Sequence, residues 1–238
     1  MDTLLTAIAF LFIGHSQLAG YCNNPLPTGD SSRTALYSFT SHELYYATEA
    51  DRKSFVPTFL DKMAQRYPKN TFIGIKDSQA GCPMKGWFLP GDQEFNKITE
   101  AIKFLRGKVV WGGIFILEGF LEATDTVSID DMPLTIARMY IAYTSVMRKS
   151  NVPLFIAKYE KNSDRSKHPN NFKYCNRVCN KIDSLPMLFP NVYTFPVRYI
   201  PKEDFCDDHH YNEAGQKILA EDAVVIYQQS GLDMWYKK

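Results

Sequence analysis

Little in the chain could hold a metal. Of its 238 residues only five are cysteine and five histidine. Cys22, Cys82, Cys175, Cys179 and Cys206 form no C-x-x-C pair, and no histidine follows at zinc spacing. No metal site is therefore expected, and no cofactor is called for. The four-residue step from Cys175 to Cys179 allows a disulfide, but free thiols are the simpler reading. An odd count leaves at least one thiol over in a monomer. An excess of charge is missing too: 27 basic residues face 26 acidic ones, for a net charge of +1. With no basic block or stripe, a nucleic-acid partner is excluded. There is no acidic tail, repeat or low-complexity segment. The apolar run from Leu4 to Ile13 is too short to span a bilayer. It follows Met1-Asp2 rather than a basic segment, so it reads as a core strand and not a signal sequence. No membrane insertion is expected, and the oligomeric state is not legible.

What is present is ordinary globular composition, 45% hydrophobic and 22% charged, over a length that suits one domain, 1–238. Short apolar runs at 6–13, 71–76, 109–117, 152–159 and 191–197 read as strands. Stretches at 54–67, 92–106, 131–149, 174–185 and 212–230 carry helical periodicity. Residues 21–50 are rich in Asn, Pro, Gly, Ser and Thr and read as a long loop. Strands alternating with helices predict an α/β fold. The expected form is a three-layer α/β/α sandwich on a mostly parallel, five-stranded sheet. Ligands of such sheets bind outside the carboxyl ends of the strands. Ser16, Gly81, Glu118 and the segment 207–210 each follow a predicted strand, so all four gather on one edge.

Two segments there carry chemistry. In FLFIGHSQLAGY (10–21) an apolar strand stops at a serine between small residues. In FCDDHHYNEAGQ (205–216) a carboxylate stands three residues before a histidine, ahead of a helix. A serine nucleophile needs a histidine to take its proton and a carboxylate to orient that histidine. Ser16, His210 and Asp207 supply the set. The competing reading makes Asp207 or Asp208 a cap on the last helix. His209 is a poorer base, because Cys206 stands three before it and is no carboxylate. His15 lines the pocket or packs, and His42 and His168 read as surface residues. Trp87 is expected in the pocket.

GHSQLAG (14–20) resembles the first block of SGNH hydrolases. It is closest to the G-Q-S-N-M-A-G form of sialate O-acetylesterases and acetylxylan esterases. DDHHYNEAGQKILAE (207–221) is similar to the last block of that branch, D-x-x-H before a helix. IKDSQAGCPMKGWFLPG (75–91) resembles the second, A-V-G-G-T-S-I-x-x-W; Gly81 and Trp87 match, and Cys82 replaces a glycine. ILEGFLEATD (116–125) departs from the third, W-x-Q-G-E-S-D: Gly119 fits, but Glu118 stands in the glutamine's place and Phe120 in that of the glutamate. The resemblance implies a flavodoxin-like SGNH fold with Ser16 as nucleophile, His210 as base and then acid, and Asp207 orienting it. It implies an oxyanion hole from the backbone N–H of Ser16 or Gln17 and of Gly81. Glu118 donates there only when protonated.

The resemblance thus implies a serine esterase that removes acetyl or other short acyl groups from a carbohydrate. Its partner is an acetylated carbohydrate or another small ester. Glu118 and Phe120 motivate an alternative, a carbohydrate-binding or accessory module with a decayed site. A lipase or thioesterase of the same fold is a third reading. Sugar esterases of this type are often exported, so a secreted or periplasmic location is expected, with any signal segment already removed.

Overall fold

The computed structural model describes residues 6–20, 31–47, 51, 53–79, 84–87, 89–117, 126–158, 174–196, 201–207 and 210–231. Seven strands form one sheet: β1 (Thr6–Gly14), β2 (Thr34–Ser38), β3 (Glu43–Tyr46), β4 (Asn70–Ser78), β5 (Val110–Leu117), β6 (Leu154–Lys158) and β7 (Val192–Pro196). Their order is β3-β2-β4-β1-β5-β6-β7, and every pairing except β2–β3 is parallel. Among the described residues the α-helices are α1 (Ser16–Ala19), α2 (Phe55–Arg66), α3 (Gln93–Leu105), α4 (Thr126–Met147), α5 (Cys175–Leu188) and α6 (Glu213–Gln229).

Period-two alternation on β1 divides the core into two layers. Ile8, Phe10 and Phe12 face a cluster built with α2 and α6. Ala9, Leu11 and Ile13 face a cluster built with α3, α4 and α5. The first layer is strongly aromatic. Phe12 stacks on Phe115 of β5 at 5.2 Å between ring centroids, and Phe115 on Phe155 of β6 at 4.6 Å. Phe59 of α2 meets Phe10 edge-on at 5.2 Å. Each such pair adds about 0.5–1.5 kcal/mol beyond its buried area, which fixes the central strands tightly under the site. Gly112 makes room for this layer, since a Cβ there would lie 2.5 Å from the Phe10 ring.

All five predicted strands are present, and the three-layer parallel architecture stands. The strand count is corrected to seven. Residues 34–46, read as loop, are a hairpin on the sheet edge, closed by a turn at 39–42. His42 takes φ of 57° there, and its N–H donates to Ser38 O at 2.9 Å. The signal was weak for a physical reason. β3 lies at the edge with all four residues exposed, so no apolar run was required of it. Helix α4 also begins earlier than expected. A start at 131 would put Pro133 in the first turn, where its missing N–H costs nothing. Instead Pro133 sits inside the helix and leaves the carbonyl of Ile129 without its helical donor. Cys179 is not in a disulfide, as expected of it, and Cys206 is disulfide-bonded. Among the described residues no helix is long and apolar enough to cross a membrane.

β1 lies at the middle of the sheet. From it the chain runs to β2, β3 and then β4 on one side, and afterwards crosses through α3 to β5 on the other. The strand order therefore reverses at β1. In open α/β sheets the ligand crevice opens past the carboxyl ends of the strands at such a reversal.

Candidate active site

Ser16 is the first residue beyond that reversal apart from its cap. Gly14, the last residue of β1, pairs with Ser78 of β4 and Leu117 of β5. A Cβ on Gly14 would stand 2.9 Å from the Leu117 carbonyl oxygen, so a side chain there would push the strand ends apart. His15 then turns the chain into α1 as its N-cap: its Nδ1 accepts the N–H of Gln17 at 3.3 Å. The same Nδ1 lies 3.3 Å from Ser16 Oγ. Gly20 closes the four-residue helix at φ of 71°, and its N–H donates to Ser16 O. No other residue type fits this position, because a Cβ would fall 2.3 Å from the Lys53 carbonyl carbon. Ser16 itself is partly exposed, whereas His15 and Gln17 are buried.

The histidine comes from the opposite end of the chain. Phe205 and Tyr211 form an antiparallel bridge, and Cys206 N–H donates to His210 O at 2.9 Å. Asp207 sits within this tight loop and grips His210 twice. Its Oδ1 accepts the His210 backbone N–H at 2.7 Å, and its Oδ2 lies 2.6 Å from His210 Nδ1. An ionised carboxylate only accepts, so Nδ1 carries the proton and Nε2 is left as the basic nitrogen. Asp207 is half exposed and the imidazole nearly buried. Neither aspartate in the notation D-D-H-H is needed as a helix cap: Asn212 caps α6, its side chain accepting from Ala214 N–H and Gly215 N–H.

Gln17 ties the two halves together. Its side-chain Oε1 accepts the Tyr211 N–H at 3.1 Å, and its carbonyl accepts from Gln216 Nε2 at 3.0 Å. Gln216 Oε1 in turn accepts the Phe55 N–H that opens α2. Residues next to the serine and next to the histidine are thus directly bonded. The spacing of residues gave no sign of this brace; the only sequence signal is two glutamines at positions that prove fully buried.

The oxyanion donors divide unevenly. The Gln17 N–H is turned onto His15 Nδ1, which leaves the Ser16 N–H as the candidate donor of the two. Gly81, Glu118, Asp208 and His209 lie outside the described residues. Trp87 is not at the surface: it has no exposed area, its Nε1 donates to Asp77 Oδ2 at 3.0 Å, and its carbonyl accepts from the Tyr143 hydroxyl. Its place is therefore in the core below the site. Asp77, near the carboxyl end of β4, is itself buried and bonds Lys97 at 2.7 Å; Lys97 also pairs with Glu94. Burial pushes the Asp77 carboxyl up to about 7, the contact with Glu94 adds to this, and Lys97 opposes it.

No protein-family model matches the sequence, and no curated protein matches it. Solved structures do. A protein from Arabidopsis thaliana superposes with a TM-score of 0.73 at 12% identity, over 93% of this chain and 98% of that one. NanS gives 0.68 at 10% identity, over 98% and 99%. An acetylxylan esterase from Geobacillus stearothermophilus gives 0.58 at 10% identity, over 92% and 93%. The chain shares with these structures its fold, a three-layer α/β/α sandwich on a mostly parallel sheet.

Proposed function

We propose that the protein is a serine esterase that removes acetyl or other short acyl groups from a carbohydrate. The observation that carries this reading is the double grip of Asp207 on His210, held by Gln17 against the turn that presents Ser16. That arrangement fixes the tautomer a general base needs. In the proposed reaction Ser16 Oγ attacks the ester carbonyl carbon while His210 Nε2 takes the hydroxyl proton. The tetrahedral intermediate collapses, the C–O bond to the alcohol breaks, and His210 returns the proton to the departing oxygen. Water, deprotonated by His210, then attacks the acyl-enzyme; the bond from the acyl carbon to Ser16 Oγ breaks, His210 returns the proton to that oxygen, and the acid leaves. The Ser16 N–H and, from the motif match, the Gly81 N–H serve the oxyanion, each such donor being worth about 3–4 kcal/mol. The fold shared with an acetylxylan esterase favours a short acyl group on a sugar. The disulfide at Cys206 supports an oxidising compartment, in keeping with export.

The test is hydrolysis of p-nitrophenyl acetate, butyrate and octanoate by the wild type and by Ser16→Ala. Turnover that falls with acyl length and disappears in the variant is the expected result. Equal rates in the two proteins would refute the serine mechanism. Octanoate preferred over acetate would replace the reading with a lipase-like one.

A further inference from the structure

A hollow of about 390 Å³, lined by polar and apolar groups in nearly equal measure, opens on the same edge of the sheet, past the carboxyl ends of β2 and β4. That volume is within the range of small-molecule sites. Tyr37, Phe39, Tyr45, Asp51, Lys76 and Ser78 are among the residues that line it. Its inner wall borders the strand end that leads into the serine turn: Ser78 is the strand partner of Gly14, two residues before Ser16, and paired strands lie only about 4.8 Å apart.

The charges in the hollow are arranged for donation. Lys76 Nζ bonds Asp51 Oδ2 at 2.7 Å, with the two side chains only 15% and 9% exposed. The Asp51 carboxylate is already saturated. Its Oδ1 accepts the N–H groups of Lys53 and Ser54, and its Oδ2 also accepts the Ser54 hydroxyl. Despite burial, which pushes it up, the Lys76 charge and these donors hold the Asp51 carboxyl below its usual value. Asp51 therefore stays ionised and serves to fix Lys76. Among the described residues Asp51 is the one hydrogen-bond partner of Lys76, so two of the three ammonium donors remain for a ligand. Tyr45, exposed on β3, adds a rigid ring face with a polar tip, a surface suited to a sugar ring. Lys76 against Asp51, and Lys97 against Asp77, leave the hollow without net positive charge. A ligand carboxylate would find no surplus cation there, whereas ring hydroxyls can accept from Lys76.

Taking the esterase reading as its basis, we propose that this hollow is the subsite for the alcohol half of the ester and that it takes an uncharged sugar ring in preference to an acidic one. Lys76 donates to the ring hydroxyls and Tyr45 covers its face.

The experiment compares kcat/KM for an acetylated methyl xyloside, for an O-acetylated sialic acid and for p-nitrophenyl acetate as a sugar-free reference. It uses the wild type, Lys76→Met and Tyr45→Ala. The wild type should favour the neutral sugar over the acidic one by at least about tenfold, and each variant should lower the ratio of neutral sugar to reference by about tenfold, chiefly through KM. Equal or reversed preference, or ratios unchanged in both variants, would overturn the proposal. Lys76→Met leaves Asp51 buried without its cation and can fail to fold; Tyr45→Ala, on an exposed edge strand, keeps the question open to an answer. Calorimetric titration of Ser16→Ala with methyl xyloside reads the hollow without turnover. Binding that weakens in the added Tyr45→Ala change supports the subsite, and no binding overturns it. Loss of all Ser16-dependent turnover in the wild type would sink the esterase reading instead, with the titration still deciding the hollow.

Discussion

Tyr211 donates its backbone N–H to the side-chain oxygen of Gln17, 194 residues earlier in the chain, at 3.1 Å. One hydrogen bond thus joins the neighbour of the candidate base to the neighbour of the candidate nucleophile. Gln17→Ala would leave a buried N–H without an acceptor, a loss of about 1–3 kcal/mol. The expected outcome is a lower melting temperature together with a lower kcat and little change in KM, read by calorimetry and steady-state kinetics. A drop in stability with kcat intact would show that the brace supports the fold and not the geometry of catalysis.

Asp207→Asn tests the tautomer. The amide can still accept the His210 N–H, so the loop should hold its shape. With an amide NH₂ facing it, Nδ1 becomes the acceptor and the proton moves to Nε2. Ester turnover should fall by about 10³–10⁴-fold while the melting temperature stays near that of the wild type.

Gly20→Ala tests the turn behind Ser16. The left-handed backbone and the collision with Lys53 together predict a destabilisation of at least about 2 kcal/mol. Urea unfolding measures it. A cost below about 0.5 kcal/mol would mean that the turn relaxes freely, contrary to the tight contact described above.

Asp77 gives a pH dependence. Its folded carboxyl titrates near 7, well above the usual carboxylate value of 3.8. Between those values the folded protein holds a proton that the unfolded chain has released. Stability from this group is therefore full at low pH and is lost as pH rises towards and through 7. Asp77→Asn cannot ionise, so its melting temperature should change less between pH 5 and pH 8 than that of the wild type. Parallel profiles for the two proteins would contradict the assignment.

β1, β4, β5, β6 and β7 could be read from the sequence because their buried residues fall in short, nearly continuous apolar runs. The serine and the D-x-x-H pair were legible for a different reason. The chemistry proposed for them needs particular residue types at particular chain positions, whatever packs around them. The β2–β3 hairpin carried no such mark, since an exposed edge strand answers to neither rule. Trp87 shows the limit of motif matching: a tryptophan at the expected spacing is drawn into the core by the buried Asp77, a partner that spacing cannot reveal. Lys76 was hidden in the same way, its role depending on how Asp51 is saturated by the turn that precedes α2.

The bond between Gln17 and Gln216 gives the site a place in time. During synthesis the serine turn leaves the ribosome long before the helix that must dock against it, and contacts of such long range form late. Until α6 docks against α2, Gln17 has neither of its distant partners. The brace is thus a report that the two ends of the chain have met, and a partly folded chain lacks it.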